Sequence, residues 1–337
     1  MRHAVELAAT LNCKLVALSS RWSIATEVVK IARQYQAEVI VIDVRTWPRD
    51  ILPHFRTTEL LSRTKFNRTT DTSQKRNLGL LLARLFGWRR VAFLDDDINI
   101  PDPDDLRLAA WLTEEYPGVG IAIDPTYPSY PDNSVVCHAY RDAGGDQGMF
   151  IGGGALAVGP ESMDSFFPNI YNEDWFFLLD EEKLRSVTMT GRALQQPYDP
   201  YHRRRAQAEE LGDCLAEGLF WLLDAGRTIK EADERYWAES LGRRLEFIAE
   251  VIRMVTGMRS DTRKAKMLAS LQAAKGRCER IKPSLCTDFV TAWQEDRGRW
   301  RRHVDSCQAG VGEVTDVEKV LASLGLAGQS RYLTRGA

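Results

Sequence analysis

The 337-residue chain has no long hydrophobic run, no C-x-x-C pair and a formal net charge of only −2. A transmembrane helix needs about 20 apolar residues, so no membrane span is predicted. Residues 1–6 also lack the pattern of a secretory signal. The small net charge gives no overall attraction to nucleic acids or anionic membranes. We therefore expect no nucleic-acid partners. Six scattered cysteines are typical of free thiols in a reducing compartment, so we expect a cytoplasmic protein.

Internal repeats and low-complexity tracts are also missing. The spacing of apolar residues therefore gives the main indication of how the chain is organised. Two β-rich runs, residues 14–19 and 38–43, flank a helical stretch, which predicts parallel strands of an α/β sheet. Ser19 and Asp43 end these runs, where open α/β sheets bind ligands, and are candidates for nucleotide contacts. From about residue 206 leucines recur at helical spacing, and no strand-like run follows.

These changes of pattern predict two domains. Residues 1–205 would form an α/β domain, and residues 206–337 would form a helical domain through which two copies could dimerise. The stretch from Pro125 to Gly148 is rich in proline and glycine, which predicts a lid or a substrate loop between elements of the first domain.

Three consecutive aspartates follow the apolar run Arg90–Leu94, where a buried strand would emerge into a cleft. On a strand, Asp95 and Asp97 would point to the same side and Asp96 to the other. Carboxylates are the usual ligands of Mg²⁺ and Mn²⁺, which can hold a phosphate-bearing substrate. A solvated acidic turn would have the same sequence, so the triplet alone leaves both interpretations open.

A helix is predicted just before this strand, from Asp71 to a glycine stop at Gly87. Lys75 and Arg76 lie near its start. The amino end of a helix favours anions, and the two cations add to this effect. Placed beside the acidic strand end, this helix suits a metal-bound nucleotide diphosphate.

The order of these motifs resembles that of the GT-A glycosyltransferases, with an RN-x-G helix, an apolar strand and an aspartate-rich D-x-D type motif. Downstream, Gly152–Gly154 and Asn172–Trp175 resemble the glycine-rich acceptor segment and the ED motif of family 2-like glycosyltransferases. The resemblance covers roughly residues 10–205. It implies a GT-A, Rossmann-like α/β domain followed by a helical C-terminal extension. It also implies that the donor nucleotide is bound near the first motifs, by Lys75, Arg76, Asn77 and Asp96.

The activity implied by the resemblance is transfer of a sugar from a nucleotide-diphosphate donor to an acceptor hydroxyl, with Mg²⁺ or Mn²⁺. Asp174, beside Glu173, stands at a predicted helix start and could act as the general base of an inverting transfer. The layout also resembles the retaining glucosyl-3-phosphoglycerate synthases, in which these acids would position substrates. Close backbone packing at the glycines and favourable helix-start charges at the acids are the structural alternatives.

His202 is the only histidine between the ED motif and the far C-terminus. In many GT-A enzymes such a histidine completes the metal site, so the resemblance implies Asp95, Asp97 and His202 as metal ligands. Arg203, the next residue, could neutralise the departing nucleoside diphosphate. A lone histidine is also common as an ordinary surface or core residue.

Two other classes of protein share parts of this pattern. A sugar nucleotidyltransferase would use the same sheet and metal carboxylates, although the glycine-rich, basic signature of such enzymes is missing near the N-terminus. A non-catalytic GT-A-like scaffold would keep the fold and bind partners.

The pattern of residues 1–9 is helical, whereas GT-A chains open with an apolar strand. We therefore expect either that the chain lacks an N-terminal segment or that another strand closes the gap.

Overall fold

The computed structural model describes residues 1–21, 23–48, 50–126, 133–146, 151–260, 262–312 and 316–336, which form a mixed α/β fold with two sheets. The helices of the described residues are α1 (Arg2–Leu11), α2 (Ala25–Tyr35), α3 (Arg56–Ser62), α4 (Thr72–Leu85), α5 (Pro103–Leu112), α6 (Val135–Asp142), α7 (Glu173–Leu178), α8 (Arg203–Asp224), α9 (Glu234–Gly257), α10 (Thr262–Cys278), α11 (Pro283–Val311) and α12 (Val317–Ser323). The strands are β1 (Leu15–Ser19), β2 (Val39–Asp43), β3 (Val91–Leu94), β4 (Ile98–Asn99), β5 (Gly118–Ile123), β6 (Ala155–Val158), β7 (Val187–Gln195) and β8 (Ser330–Leu333).

The smaller sheet has the strand order β1-β2-β8. β1 and β2 are parallel, as the sequence predicts, and Ser19 lies opposite Asp43 at their shared carboxyl end. β8 pairs antiparallel with β2 and brings Leu333 opposite Val39. The prediction that no strand follows residue 206 is therefore wrong. A four-residue strand carries too little alternation to be recognised, and pairing with β2 determines its conformation.

The larger sheet has the order β3-β6-β5-β7-β4. Only β5 and β7 run parallel, and the other pairs are antiparallel, so the sheet is mixed. Residues 2–11 are helical, as the periodicity predicts, and do not pair with β3. β1 and β3 are edge strands of different sheets, and none of the strands described above connects them.

Two helices join the sheets. Leu78 and Leu82 of α4 pack in the core of the smaller sheet, whereas Leu80 packs in the core beneath the larger one. On α1, Val5 contacts the first sheet's core and Leu7 the second's. Apolar residues on several faces of α4 make it a central, buried helix. Its first turns thereby lie next to the end of β3.

The C-terminal helices pack against the α/β part rather than standing apart from it. Asp296 of α11 caps α3, accepting hydrogen bonds from the backbone N–H groups of Arg56 (2.7 Å) and Thr57 (2.8 Å). Phe176 of α7 packs edge-on against Phe289 and Trp293 of α11. The predicted helical tract is confirmed, although it starts at Arg203 rather than at residue 206.

Three further sequence expectations concern loops, membranes and cysteines. The stretch from Pro125 to Gly148 contains α6, but its residues 127–132 and 147–148 lie outside the described residues, so the lid prediction stays a prediction. None of the described helices combines the length and apolarity needed to cross a bilayer. All six cysteines are free thiols.

Candidate active site

The aspartate triplet forms the turn between β3 and β4. Asp95 directly follows β3, and its N–H donates to the carbonyl of Gly154 (2.9 Å), which extends the pairing with β6. Asp96 is exposed, whereas Asp95 and Asp97 are partly buried. Asp96 thus differs from Asp95 and Asp97 in exposure, as the sequence predicts. The cause is a turn, however, and not the alternation of side chains along a strand.

Arg76 connects this turn to the ED motif. Its Nη2 lies 3.2 Å from both carboxylate oxygens of Asp95, and its Nη1 lies 3.1 Å from Oε1 of Glu173. The side chain is only 7% exposed. Burial alone would lower the pKa of Arg76, but the two carboxylates outweigh it and raise the pKa. Arg76 is thus a fixed cation between the strand-end acid and α7.

The glycine-rich segment forms the floor beside Arg76. A Cβ atom at Gly153 would lie 2.3 Å from Nη1 of Arg76, closer than any ordinary contact. At Gly154 it would lie 3.5 Å from Oδ2 of Asp95, which is an ordinary contact. The N–H of Gly153 also donates to Oδ2 of Asp174 (2.5 Å). Close backbone approach therefore explains the glycine at 153 and joins this segment to the ED motif.

The two acids of the ED motif have different surroundings. Glu173 is buried and accepts hydrogen bonds from Arg68 (2.7 Å) and Arg76 (3.1 Å). Asp174 is half-buried and accepts hydrogen bonds from the backbone N–H groups of Gly153 and Trp175 (2.9 Å). Burial, followed by repulsion from Glu173, raises the pKa of Asp174 to about 6, against the opposing effects of Arg76 and the two N–H groups. Asp174 is therefore the acid better suited to accept a proton near neutral pH.

Asp97 lies on the other side of the turn. Its Oδ2 accepts a hydrogen bond from Gln195 of β7 (3.3 Å). Burial raises the pKa of Asp97, Gln195 opposes the rise, and repulsion from Asp95 adds to it. The carboxylate of Asp95 is 44% exposed. Two repelling carboxylates, one open to solvent, fit a hard divalent cation that would relieve their repulsion.

His202 does not join Asp95 and Asp97 in a preformed three-ligand site. It precedes α8 as an exposed residue. In the described part of the chain, the only three His, Cys, Asp or Glu ligand atoms that all lie within 4.8 Å of one another belong to Glu210, Cys214 and Cys278. Arg203 begins α8 and is also exposed. The roles of His202 and Arg203 at the site therefore stay predictions.

Lys75 and Asn77 have local partners. Nζ of Lys75 lies 3.4 Å from Oδ2 of Asp71; burial would raise the pKa of that carboxyl group, but Ser20 and Lys75 lower it. The amide of Asn77 is buried and bonds the backbone of Phe167 twice, as donor (2.9 Å) and as acceptor (2.8 Å). Asn77 therefore fixes α4 to the segment before α7, while Lys75 faces the carboxyl end of β1.

Ser19 and Asp43 lie side by side at that carboxyl end. Ser19 is 1% exposed, and its hydroxyl accepts a hydrogen bond from Ser23 (3.4 Å). Asp43 is paired with Arg45, which lowers the pKa of the carboxyl group. Both side chains are thus occupied in local contacts.

Asn172 anchors α7 in a way that the sequence does not predict. Its backbone is left-handed (φ 61°), and its side chain donates to Oδ1 of Asp213 (2.9 Å) instead of capping α7. Nη2 of Arg244 holds the other oxygen of Asp213 (2.7 Å). A Cβ at Gly212 would lie 2.1 Å from the carbonyl oxygen of Tyr171, so α8 packs directly on the backbone that precedes the ED motif.

Arg68 and this acidic cluster on α8 are the residues that sequence reasoning missed. Arg68 stands in an irregular stretch without a motif. The cluster did leave a signal, because Glu210, Asp213 and Glu217 recur at helical spacing on a leucine-rich helix. Acids that share a face with buried leucines indicate a buried cationic partner, here Arg244.

A cavity of about 1660 Å³ lies on the other side of α7. Its lining includes Asn172 and Trp175, which flank the two acids, and Ile151, which precedes the glycine-rich segment. Residues of α6, β7, α8 and α9 and of the segment between α7 and β7 form most of the remaining walls. The helix that carries the acids of the ED motif thus borders a large cavity, and the acids themselves are not among its lining residues.

Comparison with known proteins adds no residue roles to this geometry. No protein-family model matches the sequence, and no curated protein matches it.

Proposed function

We propose that this protein is a metal-dependent glycosyltransferase of the GT-A type, which moves a sugar from a nucleotide-diphosphate donor to an acceptor hydroxyl. The main support is the network in which Arg76 contacts both Asp95 and Glu173 while the backbone of Gly153 holds Asp174. Gln195 separately holds Asp97, the second proposed metal ligand. One proposed metal ligand, Asp95, and the proposed proton acceptor, Asp174, thus share one set of contacts. These are the two groups that such a transfer needs.

Asp95 and Asp97 would hold Mg²⁺ or Mn²⁺, which would supply charge stabilisation for the leaving diphosphate. Arg76 keeps the carboxylate of Asp95 oriented. Asp174 would take the proton of the acceptor hydroxyl, and its two backbone N–H donors hold it in place. A base at this position supports an inverting transfer. Roles for His202 and Arg203 stay predictions.

Incubation with UDP-, GDP- and dTDP-sugars and Mn²⁺ tests this proposal. We expect metal-dependent hydrolysis or transfer with at least one donor, and loss of transfer in Asp174→Asn. Chemistry that depends on pyrophosphate would instead identify a sugar nucleotidyltransferase. Absence of both turnover and nucleotide binding would contradict the enzyme assignment and support a scaffold.

A further inference from the structure

The cavity beside α7 has the size and position of a binding site for a second ligand. Pockets for drug-sized molecules usually have volumes of about 300–1,000 Å³, and this cavity of about 1660 Å³ is larger. A ligand with several rings would fit. Asn172 and Trp175 line the cavity and are the chain neighbours of Glu173 and Asp174, so such a ligand would contact the short helix that carries the proposed base.

Aromatic side chains form one wall of the cavity. Trp221 and Phe220, at the end of α8, are 64% and 37% exposed, and both line the cavity. The ring of Phe220 lies 5.4 Å from that of Trp175. Large aromatic rings left open to solvent and grouped together mark binding surfaces, since they offer flat apolar area with little loss of side-chain entropy.

The arginines of the cavity already have partners. Arg244 is surrounded by Glu210, Asp213 and Glu217. Arg227 pairs with Glu231 (3.0 Å). This wall therefore has three carboxylates for the single guanidinium of Arg244, and no surplus of positive charge arises there.

Two further arginines, Arg185 and Arg243, line the cavity together with two further acids, Asp146 and Glu239, so the charges of its described lining balance. Arg185 donates to the carbonyl of Glu161 (3.4 Å) and to the hydroxyl of Ser162 (3.3 Å). The guanidinium of Arg243 lies 6.0 Å from the centroid of the Tyr236 ring. Burial raises the pKa of Glu217 to about 7, which Arg244 opposes and the neighbouring acids reinforce. A phosphate or carboxylate ligand would meet as many acids as arginines in the described lining, with no surplus of positive charge to hold it.

We infer that this cavity binds a neutral oligosaccharide, the acceptor of the proposed transfer, and not a small anion such as a phosphoglycerate. Sugar rings can stack on the aromatic wall, and their hydroxyls can both donate to carboxylates and accept from guanidinium groups. The inference rests on the proposed function only in naming the ligand an acceptor. Binding itself can be measured without donor or metal.

Titration of the full chain with maltotriose, cellotriose and mannotriose, followed by calorimetry, tests this inference. 3-Phosphoglycerate is the anionic probe. We expect saturable binding of at least one trisaccharide, about tenfold or more weakened in Trp221→Ala, because truncation of an aromatic anchor usually has the largest effect. Trp111→Ala is the matched control, since Trp111 on α5 is 62% exposed and does not line the cavity.

Three results would overturn the inference: no trisaccharide binds, the two tryptophan variants bind alike, or 3-phosphoglycerate binds and loses affinity in Trp221→Ala. Donor hydrolysis with Mn²⁺, measured on the same preparation without trisaccharide, separates this outcome from failure of the proposed function. Hydrolysis without trisaccharide binding would reject the oligosaccharide site alone. Trisaccharide binding with neither donor hydrolysis nor sugar transfer would reject the transferase alone.

Discussion

Alanine substitutions at the adjacent glycines 153 and 154 should have opposite consequences. The new Cβ at Gly153 would lie 2.3 Å from Nη1 and 2.7 Å from Cζ of Arg76, whereas ordinary contacts begin at 3.4 Å. Arg76 cannot yield freely, because it is buried and bonded to Asp95 and Glu173. Overpacking of this kind costs about 1–3 kcal/mol. Weakening of a buried ion pair adds to this cost, so we expect Gly153→Ala to lose about 2–3 kcal/mol of unfolding free energy.

The new Cβ at Gly154 would lie 3.5 Å from Oδ2 of Asp95, an ordinary contact, and the backbone of Gly154 is not left-handed. Gly154→Ala should therefore be neutral or stabilising by up to about 1 kcal/mol, because alanine restricts the unfolded chain. Urea unfolding of both variants and the wild type measures the difference. Equal stability of the two variants would refute the proposed close approach of Gly153 to Arg76.

Two further predictions concern ionisable groups. Asp174→Asn should keep donor binding but lose transfer by about 10²–10⁴-fold. In the wild type, kcat/KM should fall as pH drops through about 6, because Asp174 becomes protonated there. Near-normal turnover of the variant in steady-state assays would leave Asp174 only a structural role. Burial raises the pKa of Glu209 from 4.5 to about 7, against the effect of Arg205. The contribution of protonated Glu209 to the free energy of unfolding is therefore fully present below pH 4.5 and is lost as pH rises through 7. Glu209→Gln should flatten that loss, about 3 kcal/mol, in unfolding measured from pH 4.5 to 7.5; an unchanged slope would contradict the prediction.

Local patterns in the sequence were sufficient to predict several of the secondary-structure elements around the site. The apolar run before Asp95, the glycine stop at Gly87 and the helix at the N-terminus are each encoded within a few residues, and all three occur in the structure. The convergence of the aspartate turn and the ED motif is a tertiary property. Motif order suggested it, but only the contacts of Arg76 and Gly153 specify which atoms meet.

Other features depend on contacts between distant parts of the chain. β8 becomes a strand because β2 offers it an edge, and the short sequence alone gives no such signal. Asparagine is common at helix N-caps, yet the side chain of Asn172 donates a hydrogen bond to Asp213 on α8 instead. The roles of His202 and Arg203 were inferred from sequence order, which does not determine where the start of α8 lies relative to the acids. Pairing across long sequence separations is what local periodicity cannot supply.

Calorimetric titration with UDP, GDP and dTDP, with and without Mn²⁺, tests the central claim most directly. We predict that at least one nucleotide binds only in the presence of Mn²⁺, and that Asp97→Asn weakens this binding at least about tenfold, since the amide keeps the shape but loses the charge that holds the cation. Asp104→Asn on the exposed start of α5 removes the same charge away from the turn and should bind normally. Binding that does not need the metal, or equal affinity in Asp97→Asn and the wild type, would contradict the assignment of this turn as the metal-nucleotide site.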